Sequence, residues 1–168
     1  MAPKPLPSNL TWDEVEQAAS VGVRRRIHSR KKGLNGAAAD AEGNQGLGAW
    51  DIDIEAAIAE MAVAKATNRY WCGSVDTYHK GDDVQYGIQV RHAVPDASSL
   101  IVRVEDSDAA VWVLVTGRAP SFQLRGWFFG HEAKKQESWK KAPHNRDAAW
   151  FVPSKVLRDA RDLIQRED

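Results

Sequence analysis

The chain has 168 residues, of which 43% are hydrophobic and 27% charged. That is about one domain of sequence, with enough apolar content to close a core without a metal or disulfide staple. Twenty-three basic residues balance twenty-three acidic ones, which excludes a polycation or an acidic disordered tail. The single cysteine, Cys72, excludes an internal disulfide and a cysteine-based zinc site. No run approaches the ~18 consecutive apolar residues of a membrane span, and Met1–Pro7 carries no apolar signal-peptide region. A cytoplasmic protein with no membrane partner is expected.

Residues 1–9 form a proline-rich, flexible lead. Thr11 with Glu14 makes a capping box and Leu10 with Val15 a hydrophobic staple, which predicts a helix from Trp12 to about Lys32 with Gly33 as its C′ residue. All six cations between Gln17 and Ala39 (Arg24, Arg25, Arg26, Arg30, Lys31 and Lys32) stand without a carboxylate among them. Asn35–Gly48 is rich in glycine and small residues and reads as a linker. Two regions follow: a basic helical arm with its linker at 1–48, and a core at 49–168.

Asp51–Arg69 is the strongest helix, with Asp51, Asp53 and Glu55 at its positive end. It is apolar on nearly every side, the mark of a buried helix, and Glu60 is a carboxylate set among its small residues. Strands are predicted at Ser74–Tyr78, Asp83–His92, Leu100–Val104, Val111–Thr116 and Phe122–Phe129. Val111–Val115 is apolar without alternation and should be a central strand. The short Asp106–Ala110 link should pair Leu100–Val104 with Val111–Thr116 antiparallel. His131–Lys141 reads as a short basic helix and Ser154–Arg166 as a final amphipathic one. The sum is an α+β fold: a mixed, largely antiparallel sheet flanked by helices, with a basic N-terminal helix.

Alternation along Asp83–Arg91 turns Val84, Tyr86, Ile88 and Val90 one way and Asp83, Gln85, Gly87, Gln89 and Arg91 the other. With Glu60, one sheet face would then gather two carboxylates, a carboxamide and a guanidinium. Oxygen donors of this kind suit Mg²⁺ or Mn²⁺, which can activate water and stabilise charge on a phosphate.

The order of Glu60 on a helix, then Asp83, then Gln89-Val90-Arg91, resembles the signature of the PD-(D/E)xK (restriction-endonuclease-like) nuclease superfamily. The Leu114–Gly117 and Arg125–Trp127 runs are similar to those of small phage-encoded proteins of that type. The resemblance covers about residues 50–155 and implies a divalent-metal-dependent phosphodiesterase acting on DNA. It implies Glu60, Asp83 and Gln89 as metal ligands and Arg91 in the lysine position, all four as catalytic residues. Two departures stand out. Gln89 brings no charge, and Arg91 cannot serve as a base because it stays protonated. The alternative is a non-catalytic protein on a degenerate nuclease scaffold, binding DNA or a host protein in counter-defence in the host cytoplasm.

Nucleic acid, DNA ahead of RNA, would be met by the six cations of the first helix and by Lys134 and Lys135, which lie in a stretch (Gly117–Arg146) of seven basic residues against two acidic. The plainer reading of these cations is a set of solvated helix faces. Plain structural roles stay open for the site residues too. Glu60 can equally pair with Arg91 in a buried salt bridge, Gln89 can face an edge, and Asp83 can simply begin a strand after the Gly81-Asp82 turn. His79, His92, His131 and His144 lack metal-ligand spacing, and Cys72 lacks a partner base. The first helix also resembles a helix-turn-helix with Ala18, Gly22 and Val23 at its turn, and Trp127 and Trp139 are candidates to stack on unpaired bases.

Overall fold

The structure, a computed structural model, describes residues 2–33, 48–76, 81–93, 99–142 and 147–165. Strand β1 (Leu6–Asn9) leads into helix α1 (Trp12–Lys31), whose start is the capping box: Glu14 N donates to Thr11 Oγ1 at 3.2 Å and Thr11 N to Glu14 Oε2 at 2.7 Å. Gly33 follows the helix with φ +68°. Helix α2 (Ala49–Ala66) begins after Gly48; the preceding linker, 34–47, lies outside the described residues.

A central sheet runs in the order β1-β5-β4-β2, with β2 (Ile88–Ala93), β4 (Val111–Arg118) and β5 (Ser121–Phe129). It is antiparallel except for the parallel β2–β4 pair. The apolar run of β4 is central, as its lack of alternation requires. A second, three-stranded antiparallel sheet is ordered β3-β7-β6, from β3 (Ser99–Arg103), β6 (Lys140–Lys141) and β7 (Ala149–Pro153). The fold is therefore mixed α+β, with a largely antiparallel central sheet flanked by helices.

Two apolar layers hold it. Between α2 and one face of the central sheet lie Ile58, Val63, Ile88, Val113, Val115, Phe122 and Leu124. Between the other face and the second sheet lie Trp112, Leu114, Leu100, Val102, Trp150 and Val152. Helix α1 packs on α2 and leaves α2 buried on nearly all sides. The approach is close at Gly22, where an added Cβ would fall 2.5 Å from Ile54 Cα. At Gly126 (φ +139°), next to the residue that β5 has in excess between Leu114 and Val115 of β4, a Cβ would meet Arg158 O at 2.6 Å.

Several sequence expectations give way. The proline-rich lead is not a loose tail among the described residues: β1 pairs with β5, and Leu10 and Ala18 of the following segment belong to the core. Helix α1 is continuous through Ala18 and Gly22, so it contains no helix-turn-helix. Leu100–Val104 does not pair with Val111–Thr116. Strand β3 crosses to β7 instead, and this excursion supplies the connection that parallel β2 and β4 need. Residues 74–76 form no strand, and 77–80 lie outside the described residues; the nearby ladder contact is Trp71 with Val84. Helix α3 is only Gly130–Lys134, followed by a 3-10 turn at Glu137–Trp139. The final segment makes 3-10 turns at Ser154–Val156 and Ala160–Leu163, because Arg158 exchanges backbone hydrogen bonds with Trp127 of β5. Among the described residues, no helix is long and apolar enough to cross a membrane.

Candidate functional site

Glu60 is buried, 5% exposed, where α1 and α2 touch. The contact at Gly22 lets the next turn of α1 lay Arg25 against it. Arg25 Nη1 and Nη2 donate to Glu60 Oε1 and Oε2 at 2.6 and 2.8 Å, and Arg25 Nε donates to Ser74 O at 2.8 Å. Trp71 Nε1 adds a bond to Glu60 Oε2 at 3.2 Å. Burial pulls the Arg25 pKa down, but the fork with Glu60 more than restores it, so the guanidinium stays charged. The alternative pairing of Glu60 with Arg91 is thereby corrected: the partner is Arg25.

Asp83 lies beside this pair. Its Oδ2 accepts Val90 N at 2.8 Å, yet burial first, and then the negative charge of Glu60, push its carboxyl up to about 7. Cys72 lies alongside, its amide on Asp83 O at 3.2 Å. Burial and the nearby Asp82, Asp83 and Glu60 raise its thiol pKa, the opposite of what a nucleophile requires.

Gln89 and Arg91 do not join them. The expected face assumed an unbroken strand from Asp83, but the chain reverses at Gln85–Gly87, with φ +69° at Tyr86 and +74° at Gly87. Val84 pairs antiparallel with Ile88 across this turn, and β2 begins only at Ile88. Within β2, Ile88 and Val90 pack toward α2. Gln89 and Arg91 align with Trp112 and Leu114 and therefore project to the opposite face. Arg91 Nη2 donates to both oxygens of Asp106 at 2.5 and 2.6 Å, Arg91 Nε to Ile101 O at 3.3 Å, and the guanidinium lies 4.4 Å from the Trp112 ring centre. Asp106 is itself buried and also accepts Arg103 N at 2.7 Å, so this fork ties β2 to the second sheet. Gln89 Nε2 donates to Gly81 O at 2.9 Å and lines an open cleft of about 250 Å³ with Asp82 and Ser107.

The donor set expected for Mg²⁺ or Mn²⁺ is therefore not assembled. Both Glu60 oxygens are engaged by Arg25, Gln89 turns away, and of the expected ligands Asp83 alone lies near Glu60. Among the described residues, no group of three or more His, Cys, Asp or Glu is placed to hold an ion.

The cations expected to contact phosphate divide into two sets. Arg25 is spent on Glu60. Arg26 is buried against Asp53 at 2.7 Å and donates to Ala49 O at 3.0 Å. Lys32 pairs with Asp76 at 2.8 Å, and Lys134 holds Asp108 at 2.7 Å together with the Val104 and Asp106 carbonyls. Arg24, Arg30, Lys31 and Lys135 are exposed, and Arg30 lies 5.3 Å over the Trp50 ring. Trp127 is in the core, with Nε1 donating to Asp159 O at 3.0 Å, and Trp139 packs edge-on to Phe128, so neither ring stands free for stacking.

Sequence reasoning found Glu60 but missed Arg25 as its partner, and missed Trp71 and Asp106. A signal for the first was present: Ala18 and Gly22 mark the small-residue face of α1 that meets α2, and Arg25 continues it. No family model, curated protein or solved structure matches the chain.

Proposed function

We propose that this protein binds nucleic acid through phosphate contacts on a nuclease-like core, without cleaving it. The observation that carries the reading is the sorting of the cations. The groups suited to catalysis are locked in internal ion pairs on opposite sheet faces, Arg25 with Glu60 and Arg91 with Asp106. Arg24, Arg30 and Lys31 stay exposed on α1, with Arg30 over the partly exposed Trp50. Cations i and i+7 on a helix, such as Arg24 and Lys31, share one face and can follow a phosphate backbone.

The test is fluorescence anisotropy with labelled single-stranded and duplex oligonucleotides across a salt series. Affinity should fall linearly in a log–log plot, and R24E/R30E/K31E should flatten that slope by ~2–3. No association at low salt with either substrate overturns the reading and leaves a protein partner in its place. A second reading, a divalent-metal-dependent phosphodiesterase, draws on one observation: Asp83 sits near Glu60 in a buried site, where burial first and then the Glu60 charge push its carboxyl up to about 7. Digestion of single- and double-stranded substrates with Mg²⁺ or Mn²⁺ decides it. Cleavage by the wild type that Asp83→Ala abolishes would replace the binding-only reading.

A further inference from the structure

The outer face of the second sheet is open to solvent at Ile101, Arg103 and Lys141. Strands β3 and β7 turn Leu100, Val102, Trp150 and Val152 inward onto the central sheet. Their pairing therefore fixes what faces the other way: Ser99 beside Pro153, Ile101 beside Phe151, and Arg103 beside Ala149. Strand β6 extends the last row, with Lys141 on the far side of Ala149. Lys141 Nζ lies 5.6 Å from the Phe151 ring centre, so both side chains are on this face. Ile101 and Phe151 belong to neither apolar layer, and Ile101 is 37% exposed. The layers run α1, α2, central sheet, second sheet, and this face therefore looks away from the cations of α1.

Two rows of this face carry different chemistry. Ile101 and Phe151 make an apolar row. One row further, Arg103, Ala149 and Lys141 place two cations about 10 Å apart, two strand spacings, with only a methyl between them. Among the described residues neither cation has a carboxylate partner, whereas Arg25, Arg26, Arg91 and Lys134 are all paired. The acids nearest in sequence, Glu105 and Asp147, lie beyond the end of the ladder. The two like charges repel, and an anion laid across the row attracts both.

We propose that this face docks a short acidic segment of a partner protein, held extended, with a carboxylate on the Arg103–Lys141 row and an apolar side chain on the Ile101–Phe151 row. Successive rows are ~6.8 Å apart, which is also the distance between residues i and i+2 of an extended chain. An acidic residue and an apolar one two positions away thus match both rows at once. Three rows and three strands span roughly 10 by 14 Å, far below the ~800 Å² that each partner gives a stable interface. The face suits a segment and not a folded surface. A second copy packed face to face would oppose cation to cation. A nucleic-acid base would have to displace Lys141 from the Phe151 ring. The proposal is independent of the nucleic-acid reading, which uses α1.

The experiment titrates the full chain by fluorescence anisotropy, at physiological ionic strength, against three labelled probes. They are a peptide repeating Glu-Ser-Leu-Ser over twice the length of β3, its Gln-Ser-Leu-Ser counterpart, and oligo(dT). Wild type should prefer the glutamate peptide by about tenfold. R103E/K141E should lose that preference, and so should R103Q/K141Q, which adds no new charge. The first keeps two like charges in the row and should melt within a few degrees of wild type. Ile101→Ser should weaken the glutamate peptide about threefold to tenfold. R24E/R30E/K31E should leave peptide binding unchanged, because a Debye length of ~8 Å screens one face from the other. Equal affinity for the two peptides, or a preference that survives both double variants, overturns the proposal. Loss of oligo(dT) binding in those variants, with peptide binding kept, assigns the face to nucleic acid and overturns it as well.

Discussion

Replacing Asp83 by asparagine should stabilise this protein, and only above a definite pH. In the folded chain burial and the neighbouring Glu60 charge hold the Asp83 carboxyl at about 7, against an ordinary value of 3.8. Between those two values the folded chain keeps a proton that the unfolded chain has released. The favourable contribution is therefore complete below pH ~4 and lost as the pH rises to ~7. At ~1.4 kcal/mol per pH unit, the interval sets a ceiling of ~4 kcal/mol on what ionising Asp83 costs the fold. Asparagine keeps an oxygen for the Val90 amide and carries no charge toward Glu60. Relaxation and water reduce the ceiling, so D83N should exceed wild type by ~1–3 kcal/mol at pH 8 and converge with it near pH 4. Urea unfolding from pH 4.5 to 8.5, compared at equal m values, reads this difference directly. A D83N variant less stable than wild type at pH 8, or a difference that does not vary with pH, would refute the assignment of mutual repulsion between Glu60 and Asp83.

Three further outcomes follow from the packing. Glu60→Gln leaves Arg25 in a buried site without its counter-charge and should cost ~3–5 kcal/mol in chemical denaturation, whereas the apolar double replacement R25M/E60M should cost clearly less than the two single changes summed. Gly22→Ala drives a methyl into the backbone of α2 and should lower stability by ~1–3 kcal/mol or more, read as a fall in melting temperature with the α-helical circular dichroism kept. Asp106→Asn removes the fork on Arg91, whose side chain is 29% exposed, and should cost ~1–3 kcal/mol; hydrogen exchange should show the loss first in β3, the strand that the fork ties to β2.

What could be read from the residues was the chemistry that acts within a few positions. The capping box of α1, its stop at Gly33, the burial of α2 and the central place of β4 all followed from local pattern. What could not be read was partner choice. Strand β1 looked like a flexible lead because of its prolines, but an edge strand tolerates them, since a missing amide on the open side costs no ladder bond. Ser154–Arg166 read as an amphipathic helix, yet it keeps only short i→i+3 turns of its own and gives Arg158 and Gln165 to hydrogen bonds with Trp127 and Thr67. The short Asp106–Ala110 link suggested that β3 pairs with β4 in a single sheet. The choice of β7 was set by a second apolar layer, in which Leu100 and Val102 meet Val152 and Trp150.

The candidate site divided along the same line. Glu60 was visible as the one carboxylate in a small-residue face, while its partner depended on how closely α1 could approach at Gly22. Counting alternate residues from Asp83 to Arg91 presumes that every residue between them is extended. Gly87 fitted the alternation as a small residue on the polar face, and a tyrosine at +69° carries no turn signal in sequence. That reversal detaches Asp83 from the strand it seemed to begin. It leaves Asp83 beside Glu60 on the α2 side, while Gln89 and Arg91 follow the phase of β2 to the other face. The turn that separates the four residues also projects the Tyr86 ring into solvent, so one backbone reversal both breaks the strand count and leaves a large ring uncovered.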